Sequence, residues 1–185
     1  MAAQLAVTVA VSLALASVPS ARALPPPSND PARCNRVQLA KFRATRASFS
    51  MEVGSGALPE AVLDLRACDF HGADLVSEVL SGGILDGANF SDANLTKVDA
   101  SRARARGGNF AGAKLVDTNL FEVDFSDADM RGAVFTNAVL SSASFRNAKL
   151  QGADFEGALL SSSDVNTLCT NTTLEDEARA VLGCR

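Results

Sequence analysis

"DGANFSDANLTKVDA", residues 86–100, places Phe90 and Leu95 five apart, each two residues after an alanine, Ala88 and Ala93. An α-helix turns about 500° over five residues, so these side chains would spiral around it rather than share a face. In a flat strand an odd spacing throws them onto opposite faces. A backbone that turns a corner every five residues satisfies both.

The spacing is sustained. Of the twenty positions divisible by five from Leu65 to Leu160, eighteen are Leu, Phe or Met, and only Ala100 and Ala105 interrupt them. Ala or Gly fills most sites two residues earlier, as at Ala73, Gly83, Ala113 and Ala153, and Asp or Asn fills eleven of the sites one residue earlier. Self-similarity at a short fixed period is the mark of a solenoid.

The unit A-(D/N)-(L/F)-x-x, in stretches such as "GANFSDANL" and "NAKLQGADFEGAL", resembles the pentapeptide-repeat family over about residues 61–165. That resemblance implies an all-β solenoid, a right-handed quadrilateral β-helix of about five coils in which each pentapeptide forms one side of a square. The large centre points into a narrow core and the small residue tucks beneath a corner. Gly two places after the centre, as at Gly72, Gly87, Gly112, Gly132, Gly152 and Gly157, suits a turn residue with positive φ.

Twenty residues per coil stack the sequence into columns. One internal column reads Phe70, Phe90, Phe110, Met130, Leu150, and another reads Leu75, Leu95, Leu115, Phe135, Phe155. Five coils at strand spacing give a core on the order of 25 Å long. The alanines at 100 and 105 belong to one coil and mark either a bend or a locally thin core. Around them "SRARARG" turns Arg102, Arg104 and Arg106 outward. A basic cluster can hold an anion, but straight stacking favours a self-neutralising ladder: Arg102 on Glu122, Arg104 on Asp124, Arg106 on Asp86.

The side carrying centres 80, 100, 120, 140 and 160 is rich in outward serine (Ser81, Ser101, Ser141, Ser142, Ser161, Ser162). Among them the register turns out Phe121, Val139 and Leu159. These form a candidate face for a protein partner, weighed against the ordinary occurrence of single apolar residues on surfaces.

Before the repeats, Ala2 to Val18 is apolar and ends in Ala21-Arg22-Ala23, a small-x-small cleavage pattern. We read 1–23 as a signal or lumenal-transfer segment, although the usual basic start is missing; as a membrane span it is marginal in length. Residues 24–60 read as a Pro-rich spacer and lead-in, with 37–50 covering the N-terminal end and 53–60 forming a loop. Cleavage after Ala23 leaves sixteen basic against twenty-one acidic residues, a net charge of −5. That balance carries no nucleic-acid footprint.

After the repeats, residues 166–185 read as a capping helix across the open end of the coil, where unpaired edges need cover. Thr173 is the expected N-cap with Asp176 in the capping-box position, Leu174, Ala178, Val181 and Leu182 follow helical spacing, and Gly183 is the stop. Cys169 and Cys184 flank this helix, and a disulfide between them implies an oxidising compartment. Cys68, at an inward small-residue site, reads as a buried free thiol, with Cys34 unassigned and pairing with Cys68 the alternative. The ending "LC…R…LGC" sharpens the resemblance to the lumenal pentapeptide-repeat proteins of chloroplasts, which implies the thylakoid lumen; a bacterial periplasmic protein has a similar pattern.

Chemistry has little to stand on. His71 is the single histidine and has no second ligand at metal spacing. The acids are dispersed by the repeat rather than paired, and Asn171-Thr172-Thr173 matches a glycosylation acceptor. No catalytic residue, metal or cofactor is expected. The sequence favours a monomeric, non-catalytic interaction scaffold with an unknown protein partner and neither nucleic acid nor membrane bound in the mature form. The alternative is the family's DNA mimicry at a topoisomerase, which calls for a longer and more acidic rod.

Overall fold

The computed structural model describes residues 31–34 and 63–184. The signal segment, most of the spacer, and the expected lead-in at 37–50 and loop at 53–60 lie outside the described residues.

From position 67 to position 157, every fifth residue has φ between 55 and 68°. In nearly every corner the N–H three residues after the start closes back on the centre's carbonyl, as when Cys68 N–H donates to Leu65 O at 3.0 Å; after Leu115 the Thr118 hydroxyl donates to that carbonyl instead, at 2.7 Å. Positive φ at the third residue of such a turn defines type II geometry. Eleven of these positions are not glycine, among them Lys97, Arg102 and Glu122. Left-handed backbone costs an L-residue roughly 1–2 kcal/mol, so the coil holds these residues there through the pairing between coils.

That pairing is regular. Parallel bridges join each residue before a centre to the one twenty on, from Asp64↔Ile84 to Val139↔Leu159. One face shows the full accounting. Leu65 N–H donates to Ile84 O at 2.8 Å, Ala67 N–H to Asp86 O at 3.0 Å, and Ile84 N–H returns to Leu63 O at 2.8 Å. Only the N–H directly after the centre lacks a backbone acceptor. The Asp or Asn before the centre supplies one: Asp64 Oδ1 accepts from Arg66 N–H at 3.1 Å, and Asn109 Oδ1 from Ala111 N–H at 3.1 Å. The Asx preference therefore satisfies the one main-chain donor that the coil leaves over.

Inside, like stacks on like. Phe70, Phe90 and Phe110 lie 5.1 Å apart centroid to centroid and nearly parallel, and Phe135 and Phe155 lie 5.0 Å apart. Met130 and Leu150 are fully buried below the first stack. The coil carrying Ala100 and Ala105 keeps its bridges to the coils on either side, at Asp99 and at Arg104. It leaves a small apolar cavity of about 10 Å³ lined by residues such as Leu80, Leu120, Phe110 and Phe125. Phe125 leans edge-on against Phe110 at 5.3 Å and fills part of the space.

Both ends are tied. A 3-10 turn at Pro31–Cys34 meets the first coil, where Arg33 Nη2 donates to Arg66 O at 2.8 Å. Cys34 and Cys68 are joined as a disulfide with Cα atoms 5.4 Å apart, so Cys68 is not a free thiol. Its inward position let it look like any other small core residue, and its partner lies outside the periodic sequence. Cys169 and Cys184 form the second disulfide, with Cα atoms 5.6 Å apart.

The bridges stop at Leu159, and the chain leaves the square at Ser161 rather than at 165. Helix α1, Ser162–Leu168, starts there because Ser161 and Asp164 form a reciprocal capping box. Helix α2, Asp176–Leu182, begins after N-cap Glu175 and ends at Gly183 in left-handed conformation. Thr173 is therefore not the N-cap and Asp176 does not close a box. Thr173 Oγ1 instead accepts Leu150 N–H at 2.8 Å, one of the open donors of the last coil. Leu168, Leu174 and Ala178 join the core cluster, while Val181 faces solvent. Arg179 locks the connection between the helices by donating to the carbonyls of Cys169, Asn171 and Leu174 at 2.7–3.0 Å.

Candidate interaction surfaces

With the core filled by side chains, chemistry can only be presented on the outer faces. Three residues of each pentapeptide point outward: those before, directly after and two after the centre.

On the face centred on 65, 85, 105, 125 and 145 the arginines do form a ladder, but not the straight one expected. Arg104 reaches Asp86 through both Nε and Nη2, and Arg106 Nε reaches Asp124. Only Arg102 pairs with its column neighbour, Glu122, at 2.9 Å. The reason is local. Asp124 Oδ1 is already taken by the Ser126 N–H and hydroxyl, so Arg104 turns diagonally to Asp86 on the preceding coil. Asp86 also accepts Arg106 N–H at 3.2 Å, in the role that an Asx at 104 would have played. Burial raises the Asp124 carboxyl, but hydrogen bonds from Ser126 and Arg106 outweigh it and hold the group below the usual carboxylate range. Asp64 is held low by the Arg66 guanidinium, and Asp129 by Arg131. These cations are engaged with acids, which weakens the case for an anion site.

The serine-rich side is more open. Leu159 is 59% exposed, Phe121 and Val139 are half-buried, and Ser81 turns out to be buried. Phe121 follows its centre and Val139 precedes the next, eighteen residues on, the same offset that brings Arg104 to Asp86. Val139 and Leu159 are bridge neighbours on adjacent coils. Arg102 lies 5.7 Å from the Phe121 ring centroid and covers one side of it. The three apolar residues thus share one edge of the rod, bordered by Ser101, Ser141 and Ser142.

His71 Nδ1 lies 2.9 Å from Ser91 Oγ and 3.8 Å from Asp92 Oδ2. Both approach the same ring nitrogen, so the acid cannot orient the ring from its far side as a serine–histidine–acid site requires. No cluster of three or more metal-ligating side chains occurs among the described residues, and none of their helices is long and apolar enough to cross a membrane. Asn171, the glycosylation acceptor by sequence, donates its side-chain amide to Ala148 O at 2.9 Å and is only partly exposed.

A family sequence model described as pentapeptide repeats matches eight copies over residues 68–112, 101–137, 118–157 and 138–166. The chain belongs to the pentapeptide-repeat family. Members of this family are right-handed quadrilateral β-helices and are generally structural or binding proteins rather than enzymes. Among solved structures, Rfr23 of the cyanobacterium Cyanothece 51142 is 22% identical, with a TM-score of 0.38 over 58% of this chain and 68% of its own. QnrB1, a plasmid-mediated fluoroquinolone resistance protein, is 22% identical with a TM-score of 0.47 over 57% of this chain and 60% of its own. A pentapeptide-repeat protein from the Arabidopsis thaliana thylakoid lumen is 28% identical with a TM-score of 0.22 over 63% of this chain and 91% of its own. No curated protein matches.

Sequence reasoning missed two features of this pentapeptide-repeat chain. The capping box Ser161-x-x-Asp164 was a readable signal for α1. The diagonal pairing had none, because column position gives backbone neighbours and not the direction of a long side chain.

Proposed function

We propose that this pentapeptide-repeat protein is a non-catalytic scaffold that binds a protein partner in an oxidising compartment, the thylakoid lumen. The observation that carries this reading is the paired disulfides. One ties Cys34 to the first coil and the other ties the ends of the C-terminal segment, and no described cysteine is free. Such bonds persist where thiols are not kept reduced. The apolar N-terminal stretch ending Ala21-Arg22-Ala23 supports a route into such a compartment.

The scaffold reading follows from what the rod presents. Its core is closed, many of its charges are paired, and the edge carrying Phe121, Val139 and Leu159 presents apolar side chains among serines. A partner covering that edge would bury an aromatic anchor beside two aliphatics. To test this, immobilised chain is exposed to thylakoid lumen extract in parallel with a Phe121→Glu variant. A specific partner held by the native chain and lost by the variant, at unchanged melting temperature, is the expected result. Retention of that partner by the variant sinks the face. Inhibition of a topoisomerase by the pure protein would replace this reading with DNA mimicry.

A further inference from the structure

The last coil is incomplete on one side. On the preceding coil of the same face, Phe125 N–H donates to Ser144 O at 2.8 Å, Asp127 N–H to Arg146 O at 2.8 Å, and Val123 O accepts Ser144 N–H at 2.9 Å. The corresponding groups one coil later are Phe145 N–H, Asn147 N–H and Ala143 C=O, and none has a partner among the described residues. The residue that would have stood before the next centre, Asp164, is instead drawn into α1. Its carboxylate accepts from the Ser142 and Ser161 N–H groups at 3.0 and 2.9 Å.

What remains is a groove of about 720 Å³ between the 145 face and the C-terminal segment, walled by Leu160, Leu168, Thr170 and Thr173. At its floor Phe145 is 8% exposed, the most exposed of the core phenylalanines. Unpaired strand donors and acceptors beside an apolar floor are what an added strand uses, with backbone bonds giving affinity and side-chain pockets giving selection.

Arg146 supplies the selection. On this face Arg106, directly after its centre, pairs with Asp124, the residue before the centre of the following coil. Arg146 occupies the same place two coils later in the stack, is exposed, and meets no acid among the described residues. Its ladder partner is missing together with the sixth coil.

We propose that this groove docks an extended segment of a partner protein, laid parallel on the 145 face as one further rung. The segment carries Leu or Phe over Phe145 and Asp or Glu immediately before it, opposite Arg146. This deepens the scaffold reading and rests on it, but it uses a different surface from the Phe121 edge.

The test titrates the blocked peptide Gly-Ala-Asp-Phe-Glu-Gly, to about 1 mM, into the isotope-labelled full chain and follows the amide resonances. The amides of Phe145 and Asn147 are expected to shift and to gain protection from exchange. Those of Phe155 and Gly157, also unpaired but rimmed by Asp154, Glu156, Glu175 and Glu177, are expected to stay in place. Arg146→Glu should weaken the peptide about fivefold, and replacing the peptide's Asp with Lys should restore binding to that variant. Silence at Phe145 and Asn147, or affinity indifferent to Arg146→Glu, overturns the proposal. Dimerisation of the chain itself, abolished by Arg146→Glu, would overturn it in favour of a second copy. Phe121→Glu should leave the titration unchanged, so failure of the groove and failure of the lateral edge are read separately.

Discussion

Phe90 is the rung whose removal should be felt most. Its ring is fully buried and sandwiched between Phe70 and Phe110 at 5.1 Å on both sides, with interplanar angles of 11 and 15°. Truncating a buried phenylalanine to alanine costs about 3–5 kcal/mol. Loss of two stacked contacts, each worth roughly 0.5–1.5 kcal/mol, places Phe90→Ala near the upper end, at about 5 kcal/mol. Phe90→Leu keeps most of the volume and should lose mainly the stacking, about 2 kcal/mol. Phe70→Leu forfeits one stacked neighbour among the described residues and should cost about half as much. The assay is urea unfolding followed by far-ultraviolet circular dichroism, with midpoints converted at a common slope. A Phe90→Leu protein as stable as wild type, or one no less stable than Phe70→Leu, would refute the stacked-ring reasoning.

Other perturbations probe the backbone, the charges and the ties. Lys97 sits at φ 60° with an exposed side chain, so Lys97→Gly should raise stability by about 1 kcal/mol in the same assay; a loss would mean that the corner is not strained. The carboxyls of Asp64, Asp124, Asp129 and Asp164 are held below their ordinary value. A depressed carboxyl contributes stability above its unfolded pKa and loses it as pH falls through the folded one. Stability should therefore be level from about pH 5 upward and fall below about pH 4, as melts in a buffer series will show. Reduction opens loops with separations of 34 and 15 residues, worth about 3.8 and 3.0 kcal/mol in chain entropy. A reductant that leaves the melting temperature unmoved would contradict both ties.

The repeat was legible because every centre is a core position, so burial is written into each fifth residue. Ala100 and Ala105 stood out for the same reason, although the small cavity beside Phe125 depends on packing that no single column reveals. The Asx preference was visible as a pattern, but its cause needed the hydrogen-bond accounting that leaves one N–H per pentapeptide unpaired. Elsewhere periodicity misled. Val165 falls on the next count of five, so the count alone carries the repeat past Ser161, where a local capping box overrides it. The Cys34–Cys68 bond joins an aperiodic segment to a periodic one, and no repeat-based register reports on such a contact. Thr173 had the look of a helix cap because its sequence neighbours suit one; the open N–H of Leu150 competes for its hydroxyl and wins.

The most direct measurement is a cysteine map of the protein taken from its own cells, with thiols trapped by alkylation before any reductant is added. Four protected cysteines joined as Cys34–Cys68 and Cys169–Cys184 are expected of a rod tied at both ends in an oxidising compartment. Four alkylated cysteines would contradict that placement and remove the principal support for a lumenal scaffold.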